Sequence, residues 1–169
     1  QEYYSDNVSE GIDFYYSNYN TEVTSFAKNE EIELLKVWFP DNTENEEIYK
    51  INRLETLHVK FSLKIRKTVK HPYLAIVIYD KEERPIGVSL NYNYLDYRNI
   101  FEESKDFNFY TSSLKIPDIN LSKGIYSLTL AVTEHFTKHF ILRAQNIAKF
   151  QVQSKLAIWE PIEFEGEWK

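Results

Sequence analysis

The sequence predicts an all-β protein, a single antiparallel sandwich. Three observations carry this. Residues 55–67, "ETLHVKFSLKIRK", alternate cleanly between apolar and polar side chains, the period of a half-buried strand. Turn signals recur at short intervals, and no segment shows a convincing helical period. Short connections between strands imply antiparallel pairing, and many short strands imply two packed sheets.

Taken in order, residues 1–28 show no sustained period and are rich in Tyr, Ser and Asn, which reads as a linker or extended arm. "EEIELLKVWF" (30–39) is a strand closed by Pro40 and the turn "PDNTEN". If Val37 faces inward, Trp38 faces outward. In 55–67, Leu57, Val59, Phe61, Leu63 and Ile65 share one face, with His58, Lys60, Ser62, Lys64 and Arg66 on the other. "YLAIVIYD" (73–80) is apolar on both faces and reads as a central strand, and "DKEERP" (80–85) as a hairpin turn.

"IGVSLNYNY" (86–94) alternates again. Its phase predicts Ile86, Val88, Leu90, Tyr92 and Tyr94 on the core side and Ser89, Asn91 and Asn93 outside. "FNFYTSSLKIP" (107–117) is a further strand. "INLSKGIYSLTLAV" (119–132) gives a turn at Ser122–Gly124, then a strand with Tyr126, Leu128, Leu130 and Val132 inward. "HFILRAQNIAKFQV" (139–152) completes the set, with a break expected near Gln145. The tail, 153–169, is a last short strand or an arm exchanged between chains.

Composition narrows function. The chain of 169 residues is 43% hydrophobic, enough for a core of useful size. It has no cysteine, so disulfides, thiolate metal sites and thiol catalysis are excluded. It begins with Gln1 and has no methionine, which reads as a piece of a longer protein. No run of 18 apolar residues suggests a membrane helix. Net charge is −6, with the acids spread along the chain, which disfavours nucleic acid. The four glycines are too dispersed for a phosphate-cradling loop, and no nucleophile elbow exists. Carboxylates are plentiful, but most sit in turns or strand starts where solvation explains them, so an enzyme is not expected, nor a cofactor. His135 and His139, four apart in "EHFTKH", lie between strands and not on a helix, so we expect no metal there.

The excess of aromatic residues, with 13 Tyr, 11 Phe and 3 Trp, fits a recognition surface and equally the ordinary use of Tyr and Phe in strands. On the recognition reading, Trp38, Trp159 and Trp168 are flat surfaces on which a sugar ring can stack. Asn91, Asn93, Tyr97 and Arg98 are the first choices for binding a polar ring-shaped ligand. His58, His135, His139 and Arg143 are second choices.

The segment order has a parallel. "EIELLKVWF", "ETLHVKFSLKI", "IYDKEERPIGVS", "LSKGIYSLTLAV" and "AKFQV" follow one another as in a known family. The chain resembles, over about residues 29–153, the C-terminal domain of the ATP-binding subunit of ABC transporters that export O-antigen polysaccharide, the Wzt C-terminal family. The resemblance implies an immunoglobulin-like β-sandwich of about eight or nine strands spanning 29–169. It also implies a non-catalytic carbohydrate-binding role, a homodimer with an exchanged C-terminal strand, and residues 1–28 as the connection from a missing ATPase domain. Through that domain the partner would be a membrane-spanning exporter subunit, at the inner face of the bacterial cytoplasmic membrane. The segment "NYNYLDYRNIFEESKDFNFY" is longer and more aromatic than the family's usual one and reads as this chain's own specificity loop. The rival is a protein-interaction module that assembles through an exposed strand edge without binding glycan.

Overall fold

A computed structural model describes residues 24–25, 30–42, 48–134, 140–155 and 160–162. Ten strands lie among them: β1 (Thr24–Ser25), β2 (Ile32–Trp38), β3 (Tyr49–Asn52), β4 (Leu57–Arg66), β5 (Pro72–Tyr79), β6 (Pro85–Leu90), β7 (Ile100–Glu103), β8 (Phe107–Ile116), β9 (Gly124–Glu134) and β10 (Phe140–Gln153). They form a sheet ordered β1-β10-β9-β5-β6, with β3 also on β10, and a second sheet ordered β2-β4-β8-β7.

The sandwich is the expected one, and the long strands obey their sequence phase. Leu57, Val59, Phe61, Leu63 and Ile65 of β4 are buried, as are Tyr126, Leu128, Leu130 and Val132 of β9. Each set lines one face because successive strand side chains point to opposite sides. The two faces meet in one apolar cluster that also takes Ile32, Leu74, Ile76, Leu142, Phe150 and Val152. Phe150 seals one end of it. Its ring stacks on Tyr126 at 5.6 Å and meets Phe39 edge-on at 6.5 Å. Tyr126 Oη donates to the Ser122 carbonyl at 2.9 Å, which satisfies a buried hydroxyl. Phe39 also stacks on Tyr49 at 4.6 Å. Burial, then the nearby charges of Asp41 and Glu55, push the Tyr49 phenol above its ordinary value.

β10 is broken where the sequence suggests. Its register against β9 shifts between Ala144 and Ala148, and Asn146 takes φ 51°. Asn tolerates that left-handed backbone better than a branched residue.

Three expectations need correction. First, not every pairing is antiparallel: β3 pairs β10 in parallel, Tyr49 with Phe150. The strand itself, too short to show a period, went unread. Second, β6 ends at Leu90, so Tyr92 and Tyr94 belong to no strand. Third, its phase agrees with the expected one only at Ile86, which packs against the core; past the register shift beside Ile86 the phase is reversed. Val88 stands opposite Val77 and Leu90 opposite Ala75, on the outer face, whereas Ser89 stands opposite the buried Ile76. Val88 is accordingly 60% exposed. β6 is an edge strand that touches the core only through Ile86, so little burial enforces the apolar phase further along it.

The arm is described only at β1, which pairs with β10. In the tail, Ile162 bridges to Leu121, and Ser122 donates its amide to Pro161 and its hydroxyl to Glu160.

Candidate functional site

The connection after β5 is tied by one carboxylate. Asp80 Oδ1 accepts the amides of Glu82 and Arg84, both at 2.9 Å, and Oδ2 accepts Arg84 Nε at 2.8 Å. Burial alone pushes the Asp80 carboxyl up, but these bonds outweigh it and hold it below the ordinary range. This fixes the hairpin that launches β6.

After β6 the chain makes a second ordered turn. The Asn91 amide donates to the Leu74 carbonyl at 2.8 Å, and Asn91 Oδ1 accepts the Asn93 amide at 3.0 Å. A short side chain thus bonds the backbone two residues on, which favours a turn over a longer strand. The buried Leu95 pins the return, its amide donating to the Pro72 carbonyl at 2.9 Å. Asp96 then caps the 3-10 turn Tyr97–Asn99, accepting the Arg98 amide while Asn99 Oδ1 accepts the Asp96 amide at 3.2 Å. The Arg98 guanidinium closes on the Asp96 carboxylate, Nη2 to Oδ2 at 2.6 Å, which lowers the Asp96 carboxyl pKa and raises that of Arg98.

This scaffold presents aromatic rings to solvent. Tyr92 is 74% exposed and Tyr97 80%. Tyr94, expected in the core, stands outside it with its ring 4.3 Å from His71 and 6.0 Å from Tyr73. Tyr73 belongs to the outer face of the six-stranded sheet, so the loop continues onto that face. There the register sets small residues in the middle: Ala75 opposite Ala131, Val77 opposite Thr129. Ala131 and Thr129 are buried although they point away from the core. Taller side chains flank them. Arg143 stands opposite Ala131, and its Nη2 donates to Tyr79 Oη at 2.9 Å.

Of the residues singled out from sequence, Asn91, Asn93, Tyr97 and Arg98 come together in one ordered loop, and Arg143 lies on the sheet that the loop adjoins. His58 and Trp38 do not join them. They lie on the outer face of the four-stranded sheet, on the other side of the sandwich; His58 Nδ1 is 3.5 Å from Asp41 Oδ2. His135, His139, Trp159 and Trp168 lie outside the described residues. Sequence reasoning missed Tyr73 and Tyr79. The signal was present in "YLAIVIY", where Tyr73, Ala75, Val77 and Tyr79 share a phase opposite to Leu74, Ile76 and Ile78.

The patch offers phenol, amide and guanidinium groups with flat ring faces. These are donors, acceptors and stacking surfaces for a polar ligand. Among the described residues no group of three or more His, Cys, Asp or Glu could hold a metal ion.

Comparison with known proteins gives the family. The family model described as the Wzt C-terminal domain matches residues 25–160, and the chain belongs to that family, a non-catalytic domain of the O-antigen ABC exporters. The crystal structure of the C-terminal domain of Wzt superimposes with a TM-score of 0.64 at 10% identity, covering 96% of this chain and 98% of that one. A Niemann-Pick type C2 protein from Japanese carpenter ant superimposes with a TM-score of 0.55 at 10% identity, covering 79% and 100% respectively. At such identity both likenesses speak for the fold alone. No curated protein matches the sequence. Among the described residues no helix is long and apolar enough to cross a membrane.

Proposed function

We propose that this domain recognises the polysaccharide its exporter carries, without catalysis, and so couples glycan binding to export. It would work at the inner face of the bacterial cytoplasmic membrane, joined through an ATPase domain to a membrane-spanning subunit and paired as a homodimer. The observation that carries the reading is the outward placement of Tyr92, Tyr94 and Tyr97 on a loop held rigid by Leu95 and the Asp96 cap. A rigid aromatic loop loses little entropy on binding, and its phenols and amides can meet hydroxyls that an analogue lacks.

Affinity is expected in roughly the micromolar to millimolar range. Tyr97→Ala and Asn93→Ala are each expected to weaken binding of the source polysaccharide about tenfold, some 1.4 kcal/mol. Both side chains point into solvent, so thermal stability should not move. Titration followed by NMR shifts checks both. Unchanged affinity in both variants would remove the loop from the site.

A second reading rests on the exposed edge strand β6, where Val88 and Leu90 face solvent. An edge of this kind can add a strand from another chain. Light scattering that shows a dimer abolished by Val88→Lys, with no glycan bound at any concentration, would favour that assembly role.

A further inference from the structure

The outer face of the four-stranded sheet reverses the sign of the chain. The whole sequence has 26 acidic against 20 basic residues. Among the described residues, the registers of β2, β4, β8 and β7 place Lys36, Lys60, Lys64, Arg66 and Lys115 on this face against Glu33 and Glu102, with Glu31 and Asp41 at its ends. Two of these carboxylates are engaged: Glu33 lies 3.8 Å from Lys64, and Asp41 pairs with His58. Among the described residues Lys36, Lys60 and Lys115 have no ion-pair partner.

The cations are not scattered. Trp38, Lys60 and Ser113 form one row across three strands. Lys36, Ser62 and Thr111 form the row on one side of it, and His58 with Lys115 the row on the other. The Lys36 ammonium stands 5.2 Å from the Trp38 ring centre, and Trp38 remains partly exposed. A flat indole, the two accessible hydroxyls of Thr111 and Ser113 and three unpaired ammonium groups therefore share a strip a few residues wide.

We propose that this strip binds a saccharide bearing a carboxylate or phosphate. The indole supplies a face for the C–H side of a sugar ring, the hydroxyls of Thr111 and Ser113 supply hydrogen bonds, and the lysines neutralise the acid group. A neutral glycan would leave three like charges crowded and uncompensated. The strip lies across the sandwich from the tyrosine loop, so it stands or falls apart from the role proposed for that loop.

The test is titration of the full chain with oligogalacturonate, its fully methyl-esterified form, a phosphorylated mannan and vesicles containing anionic lipid. The acidic glycans should bind, and esterification should weaken binding at least tenfold. Lys60→Ala with Lys115→Ala should do the same, while Lys155→Ala, at an exposed lysine elsewhere, should not. Trp38→Ala should weaken binding several-fold, with partial rescue by Trp38→Phe. Equal binding of acid and ester overturns the proposal, as does failure of both acidic glycans to bind. Full affinity in Trp38→Ala reduces the strip to a bare polyanion patch and also overturns it. Vesicle binding that exceeds glycan binding would assign the face to a membrane surface instead.

Discussion

Phe150→Ala is expected to lower the unfolding free energy by about 3–5 kcal/mol, since Phe150 is the largest fully buried side chain among the described residues. Phe150 is fully buried, and its ring joins elements of both sheets. It stacks on Tyr126 of β9, and its strand register sets it beside Tyr49 of β3. It also meets Phe39, which follows β2 in the opposite sheet. Removal would open a cavity between two sheets whose strands cannot collapse inward without breaking ladder hydrogen bonds, so relaxation would be small. Urea unfolding checks the free energy, and the melting temperature should fall by roughly ten degrees. Phe150→Leu, which keeps most of the volume, should cost less than about half as much. Equal losses for Leu and Ala would mean that ring stacking, and not volume, carries the stability.

Asp80→Ala is expected to cost about 2–4 kcal/mol, although it removes only a turn carboxylate. The side chain is nearly enclosed and accepts three hydrogen bonds, so its loss leaves the Glu82 and Arg84 amides without their acceptor. Glu83, between them, holds φ 59°, which makes the turn dependent on that acceptor. The charge also has a pH signature. The folded carboxyl is held below its unfolded value, so its contribution is complete above the ordinary carboxylate range and is lost as pH falls through the depressed folded value. Wild type should therefore exceed Asp80→Asn in stability at neutral pH, and the gap should close in acid. Urea midpoints of both proteins across an acid series measure it. A gap that stays constant would mean the hydrogen-bond geometry matters and the charge does not.

How much could be read from the sequence depended on burial. β4 and β9 were legible because both pack one full face into the core, and the core enforces the phase on every second residue. The interruption in β10 was legible from polar residues at Gln145 and Asn146 inside an apolar pattern. β6 misled because alternation is only informative where something is buried. Its apolar residues alternate, but a register shift after Ile86 turns Val88 and Leu90 outward at an edge where Gly87 and Ser89 take the inner phase. β3 was invisible because four residues with one buried apolar side chain, Ile51, cannot display a period, and its partner is remote in sequence. The loop residues at the candidate site were legible as polar and aromatic groups outside a strand. Their join to Tyr73, Tyr79 and Arg143 was not, since that depends on which strands lie side by side. The separation of Trp38 and His58 from them follows from sheet membership, which no local pattern encodes.

The position of β10 sets an order of events during synthesis. The four-stranded sheet has all its strands once residue 116 has emerged. The other sheet does not, because β1, β3 and β9 each pair with β10. β3 leaves the ribosome about a hundred residues ahead of the strand it joins, Tyr49 waiting for Phe150. A nascent chain that pauses before Phe140 therefore carries one assembled sheet beside one whose keystone has not been made, and the apolar underside of the finished half is uncovered for as long as the pause lasts.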